Sequence, residues 1–176
     1  MTDSGIAELV AARLRDVPDF PIPGIVFKDI TPLLADASAF AAVTEALAAA
    51  ADGQVDLVAG IEARGFLLAG AVARQLDCGM VPVRKAGKLP PPTIKRAYAL
   101  EYGTAELEVP VSVLDGKRVL LVDDVLATGG TLKAAAELIA QAGGTVAALA
   151  VLLELGFLDG RSVVAEIAPL TALLQL

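Results

Sequence analysis

The stretch Arg118-Val-Leu-Leu-Val-Asp-Asp-Val-Leu-Ala-Thr-Gly-Gly-Thr131 limits the fold more than any other part of the chain. Val119 to Val122 is an unbroken apolar run, the pattern of a strand buried on both faces, and it ends abruptly in Asp123 and Asp124. A short turn leads to Thr128-Gly129-Gly130-Thr131 and then to an alanine-rich helical segment reaching about Gln141. Strand, acid pair, loop and helix in this order predict an open α/β sheet, which binds ligands at the carboxyl ends of its strands. The glycines allow a backbone to approach an anion closely and turn its N–H groups towards it, and the threonines add hydroxyl donors. The helix start adds its own N–H groups and the positive end of its dipole. The two acids narrow the ligand. Carboxylates beside an anion cradle suit a molecule that carries hydroxyls next to its phosphate, as a ribose phosphate does, or one accompanied by a divalent cation. Neither G-x-x-x-x-G-K-[ST] nor G-x-G-x-x-G occurs in the chain. An acid pair and a glycine turn can also simply end a strand and cap a helix; the whole string, in one order and spacing, points instead to a ligand.

Composition removes several function classes. The chain has one cysteine, Cys78, and no histidine, which excludes an intrachain disulfide, cysteine-rich metal sites and histidine-based acid–base chemistry. Any metal must be held by oxygen, which favours an ion such as Mg²⁺. The net charge of −7 argues against nucleic acid as a partner. No apolar run reaches the roughly 20 residues of a membrane span, and Met1 to Gly5 lacks the pattern of a secretory signal, so a cytoplasmic protein is expected. With 176 residues, 56% of them hydrophobic, the chain suits one domain over residues 1–176, and the apolar content hints at a buried interface between subunits.

Taken in order, Ile6 to Leu14 has helical spacing. Val17 to Pro32 is rich in proline and reads as an extended arm that presents Phe20, Val26 and Phe27 to a ligand, or packs over the core or a second subunit. A helix follows from Ser38, its expected N-cap, to Ala51. Asp56 to Gly60 is a short strand entering Ile61-Glu-Ala-Arg-Gly-Phe66 and then a helix to about Leu76. This repeats the logic of the opening stretch, with Arg64 a candidate phosphate ligand. A third strand, Gly79 to Val83, feeds Arg84-Lys-Ala-Gly-Lys-Leu-Pro90, a concentration of positive charge suited to a polyanion. Ile94 to Val111 reads as a hairpin around Tyr102-Gly103-Thr104, and Val146 to Leu153 as another parallel strand. A last strand is expected within Val163 to Leu176.

These motifs together resemble the type I phosphoribosyltransferase family. Asp123-Asp124 and Thr128 to Thr131 are similar to its phosphoribosyl-pyrophosphate (PRPP) motif. The arm Asp19-Phe-Pro-Ile-Pro-Gly24, leading into Val26-Phe-Lys-Asp-Ile30, resembles the signature of the adenine phosphoribosyltransferase family, as do Arg64-Gly-Phe66, Arg84 to Pro90 and Leu100-Glu-Tyr-Gly103. Pro91 is a departure, since members more often carry glycine or a charged residue there.

The resemblance implies a type I phosphoribosyltransferase fold, a parallel open sheet flanked by helices with a flexible hairpin lid and a small hood from about 17–35 and 154–176. It implies transfer of a phosphoribosyl group from PRPP to adenine, with Mg²⁺ carried on the phosphates, and a homodimer. Glu101, Arg64 and Lys85 would be catalytic. Asp123, Asp124, Ala127, Thr128, Gly129, Gly130, Thr131, Lys88 and Tyr102 would bind PRPP or AMP. Val26, Phe27, Lys28 and Leu155 would bind adenine, supported by Glu154, although plain core packing would also account for Leu155. Transfer to another base, or a sensor that binds PRPP without catalysis, are the alternatives.

Overall fold

The computed structural model describes residues 3–51, 53, 55–99 and 104–176. In chain order they form α1 (Asp3–Ala11), β1 (Arg15–Pro18), β2 (Val26–Asp29), α2 (Thr31–Ala35), α3 (Ala37–Ala48), β3 (Leu57–Ile61), α4 (Arg64–Gln75), β4 (Gly79–Lys85), β5 (Thr93–Ala99), β6 (Thr104–Pro110), β7 (Arg118–Leu126), α5 (Gly130–Gln141), β8 (Thr145–Glu154), α6 (Gly160–Val164) and β9 (Leu170–Gln175).

Seven strands make one sheet in the order β5-β6-β4-β3-β7-β8-β9. The central pairings, from β4 through β9, are parallel, and the β5–β6 hairpin adds an antiparallel edge. Strand alternation explains how β7 is buried on both faces. Leu120 and Val122 join the cluster formed with α1, α3 and α4, while Val119 and Leu121 join the cluster formed with α5. All four are fully buried, as the apolar run predicts.

The acid pair does not end this strand. β8 is ten residues long and keeps offering partners, so Asp123 pairs with Val151, Val125 with Leu153 and Leu126 with Glu154. On its other side β7 pairs with β3 only as far as Val122, opposite Gly60. The carboxylates therefore stand where one neighbouring strand has stopped and the other continues.

Three further elements depart from the sequence reading. The cap of α3 is Asp36, not Ser38. Its Oδ1 accepts hydrogen bonds from the Ser38 and Ala39 N–H groups at 3.0 and 3.1 Å, and the Ser38 hydroxyl also donates to it. The arm is a hairpin instead of a single extended segment. β1 and β2 form a separate antiparallel pair, and the short α2 follows, with Pro32 in its first turn, where a missing N–H costs nothing. Two strands alone are marginal in water, and opposite charges across the pair supply support. Arg15 faces Asp29 and hydrogen-bonds it at 2.6 Å, and Asp16 faces Lys28, whose Nζ donates at 2.8 Å. Finally, β9 is the edge strand of the main sheet, parallel to β8, so the C-terminal segment expected in the hood contributes a strand to the core architecture.

Candidate active site

The site begins where β3 ends and β7 runs on past it. Continuing the β7 alternation puts Asp124 on the face of Val122, against α4, and Arg64 is the first residue of that helix. Arg64 Nε lies 2.6 Å from Asp124 Oδ2. The approach is close but not aligned as a hydrogen bond, so Oδ2 is paired by charge and receives no donated hydrogen from the protein. Asp123 Oδ1 accepts the Asp124 N–H at 2.9 Å. Both carboxyls are buried. Burial first, and the neighbouring Asp124 charge second, push the Asp123 pKa well above the ordinary carboxylate range, against a smaller lowering by its backbone hydrogen bond and Arg64. A buried acid pair held this way has unfilled acceptor capacity and suits hydroxyl donors.

Gly65 makes this approach work. A Cβ there would sit 2.9 Å from Asp123 Oδ1 and 3.1 Å from the Val122 carbonyl, tighter than a side chain tolerates. On the other side of the cluster, the Arg64 guanidinium lies 4.6 Å from the centre of the Phe27 ring, a cation–π contact, and Phe20 meets Phe27 edge to face at 5.2 Å. The proline-rich arm and the acid pair thus share Arg64.

Ala127 to Thr131 form the turn from β7 into α5. Gly129 has φ of +83°, and no side chain caps the start of α5 or of α4. The turn rests on α6, with Gly160 buried directly beneath it: a Cβ on Gly160 would collide with the Ala127 carbonyl and come within 2.9 Å of the Gly129 nitrogen. A small depression of about 50 Å³ lies over this turn. A larger concavity, about 470 Å³, lies against α3 among alanines, with Glu45 its one charged group, and has no convergent polar groups for catalysis. Thr131 Oγ1 stands 3.5 Å from the Tyr98 hydroxyl on β5, and Arg96 pairs with Glu137 at 2.6 Å, so the base of the β5–β6 hairpin is tied to α5.

The basic segment leaves β4, the strand next to β3. Lys85 and Lys88 are exposed. Glu62 Oε2 accepts from the Lys85 N–H at 3.1 Å and from Arg84 Nε at 3.2 Å, linking this segment to the turn before Arg64. Burial acts to raise the Glu62 pKa, but these donors outweigh it and leave it lowered. Val26 is exposed on β2, and the Lys28 ammonium is engaged by Asp16. Leu155 follows β8, and its N–H donates to the Leu126 carbonyl at 2.9 Å. Glu154 is buried and holds Arg161 through two hydrogen bonds at 3.0 and 2.5 Å. Glu101 and Tyr102 fall outside the described residues. Sequence reasoning missed Gly160, Tyr98 and Glu108, none of which sits in a recognisable anion motif, and gave no separate role to Glu62, which lies in the stretch from Ile61 to Phe66.

Residues 29–163 match the family model of the phosphoribosyl transferase domain. The chain is 59% identical over 176 residues to the adenine phosphoribosyltransferase of Streptomyces coelicolor, covering 97% of each. The chain belongs to the adenine phosphoribosyltransferase family. Among solved structures, that of adenine phosphoribosyltransferase from Rhodothermus marinus superposes with a TM-score of 0.93 at 45% identity, covering 98% of this chain and 99% of that one. The Saccharomyces cerevisiae adenine phosphoribosyltransferase, complexed with D-2,5-dideoxy-2,5-imino-altritol 1,6-bisphosphate and adenine, superposes with a TM-score of 0.90 at 36% identity, covering 97% and 99%. The phosphoribosyltransferase fold expected from the motifs is therefore the fold of this chain, with a mostly parallel sheet flanked by helices.

Proposed function

We propose that this member of the adenine phosphoribosyltransferase family transfers the 5-phosphoribosyl group of PRPP to adenine in purine salvage, giving AMP and pyrophosphate. The observation that carries the reading is Arg64, which touches both Phe27 of the arm and Asp124 of the acid pair, so that a base held by the arm and a ribose held by the acids meet at one place.

The residues divide the work. Ala127, Thr128, Gly129, Gly130 and Thr131 receive the 5′-phosphate with backbone N–H groups, hydroxyls and the uncapped start of α5. Asp123 and Asp124 accept hydrogen bonds from the ribose hydroxyls. Arg64, Lys85, Lys88 and Tyr102 surround the pyrophosphate, where fixed positive charge meets the charge that develops as it leaves. Val26 and Lys28 read the adenine edge through their backbone, while Phe27 and Leu155 flank the ring. The N9–C1′ bond forms as the C1′–oxygen bond to pyrophosphate breaks, and Glu101 takes the proton released at the purine. Closure of the hairpin lid keeps water from the reacting carbon.

The site offers Mg²⁺ only oxygen donors. Among the described residues no three His, Cys, Asp or Glu side chains cluster as a metal cage, and Asp124 is already paired with Arg64. Oxygen donors of this kind fit an ion carried by the substrate's phosphates: Asp123 and Asp124 would be the protein's donors to it, and it would supply neutralising charge to the pyrophosphate. A homodimer is part of the proposal, supported by the exposed Leu67 and Met80 on the adjoining α4 and β4. So is a cytoplasmic location; among the described residues no helix is long and apolar enough to cross a membrane.

The test is to incubate the protein with PRPP, Mg²⁺ and adenine and to measure AMP, with hypoxanthine and guanine as competitors. Absence of AMP overturns the proposal, and preference for another base overturns the assignment of the arm.

A further inference from the structure

We infer that Glu108 is the positioning residue of the basic segment, the carboxylate that sets Lys85 and Lys88 in place for pyrophosphate. The inference rests on the reading that this segment holds pyrophosphate.

Glu108 lies in β6, directly opposite Arg84 of β4 on one side and Lys95 of β5 on the other. It is 1% exposed, the least exposed charged residue among the described residues. Its Oε1 accepts the N–H groups of Lys88 at 2.6 Å and Leu89 at 2.7 Å, and its Oε2 accepts the Thr93 hydroxyl at 3.2 Å. Burial acts to raise its pKa, yet the N–H groups of Leu89, Lys88 and Gly87 outweigh it and leave it lowered, so the group stays charged at neutral pH.

These hydrogen bonds come from backbone and hydroxyl groups, so what Glu108 organises is the path of the chain. Successive N–H groups turned towards one carboxylate make an anion nest, here filled by the protein's own acid. Glu62 holds the other end of the segment through the Lys85 N–H. Two carboxylates from different elements thus pin four residues, Lys85 to Lys88, at both ends. The backbone donors of Lys88 and Leu89 are committed to Glu108, leaving the exposed lysine ammonium groups to meet a ligand. An acid buried beneath a site for a polyanion is otherwise a poor choice, because it repels the ligand; its presence is accounted for by the loop geometry it enforces.

Glu108→Gln keeps the shape and one accepting oxygen but removes the charge that strengthens the hydrogen bonds from the Lys88 and Leu89 N–H groups. It is expected to raise KM for PRPP, and Kd for pyrophosphate measured with Mg²⁺ by calorimetry, about tenfold or more. Kd for AMP and KM for adenine are expected to stay within about twofold. Equal weakening of AMP and pyrophosphate, or no weakening of pyrophosphate, overturns the inference. Should the Gln variant fail to fold, Glu108→Asp carries the test, because it keeps the charge but draws the loop back, and the same split between pyrophosphate and AMP is expected. Lys85→Ala/Lys88→Ala separates the underlying reading. If that variant binds pyrophosphate as the wild type does, the role of the segment falls and the inference with it. If it weakens pyrophosphate while Glu108→Gln does not, only the inference falls.

Discussion

Replacing Gly160 by alanine tests how the turn from Ala127 to Thr131, the proposed phosphate site, is held. The added Cβ would lie 2.9 Å from the Gly129 nitrogen and 3.0 Å from the Ala127 carbonyl carbon, where ordinary contact is 3.4–4 Å, and closer still to the Ala127 oxygen. All three atoms belong to the backbone of the turn, so no flexible side chain can give way. Either α6 or the turn must retreat by on the order of 1 Å, and a misplacement of that size at a positioning site costs about 10²-fold in rate. Overpacking itself costs about 1–3 kcal/mol of stability. Gly70→Ala is the control: it lies within α4 with nothing within 4 Å of its Cβ, and it is expected to stabilise by roughly 0.4–1 kcal/mol without changing activity. The assay is kcat/KM for PRPP at saturating adenine, with the Kd for AMP and a thermal melt on each variant. A folded Gly160→Ala protein that binds AMP and turns over like the wild type would refute the argument that α6 sets the turn.

Other expectations follow from the proposed chemistry and from particular contacts. Glu101→Gln is expected to lower turnover by a factor of order 10² while PRPP binding survives; unchanged turnover removes Glu101 from the chemistry. Asp123 has a folded-state pKa raised above its unfolded value, so its charge destabilises the empty protein at pH values above the ordinary carboxylate range. Asp123→Asn is therefore expected to raise Tm at neutral pH, with the gain shrinking as the pH falls towards about 4, and to lose activity; melts across that range decide it. Arg161→Met leaves the buried Glu154 carboxylate without its two guanidinium hydrogen bonds. With Arg161 itself half exposed, a loss of about 1–2 kcal/mol is expected in urea unfolding.

Local pattern carried the β7 strand, the turn into α5 and the helix begun by Arg64, because burial on both faces and glycine chemistry are written in adjacent residues. The cap of α3 went to Asp36 because a carboxylate that also receives the Arg13 guanidinium at 2.9 Å outcompetes a hydroxyl two positions later. The continuation of β7 through its acids depended on the length of β8, which a reading of β7 alone does not contain. Within the candidate site, Arg64, Asp123, Asp124 and the turn from Ala127 to Thr131 were legible as motifs. Glu108 and Gly160 were not, because each acts on a distant segment: Glu108 on a loop twenty residues earlier, and Gly160 on a turn more than thirty residues earlier. The placement of β9 at the sheet edge was hidden for the same reason, since edge order is set by packing across the sheet.

The separate β1–β2 pair has a consequence for how such proteins change. It shares no strand pairing with the seven-stranded sheet, and Phe20, Ile22, Ile25 and Val26 on it and its connecting turn are exposed. Substitutions there leave the hydrogen bonding of the main sheet intact, and Phe27 is the residue whose ring meets Arg64. On the proposed reading, a library confined to residues 21–26 would sample new acceptor bases while leaving Phe20, Phe27 and the pairing of the main sheet in place. Variation of this kind is confined to a hairpin whose pairing is separate from β7, the strand that carries Asp123 and Asp124.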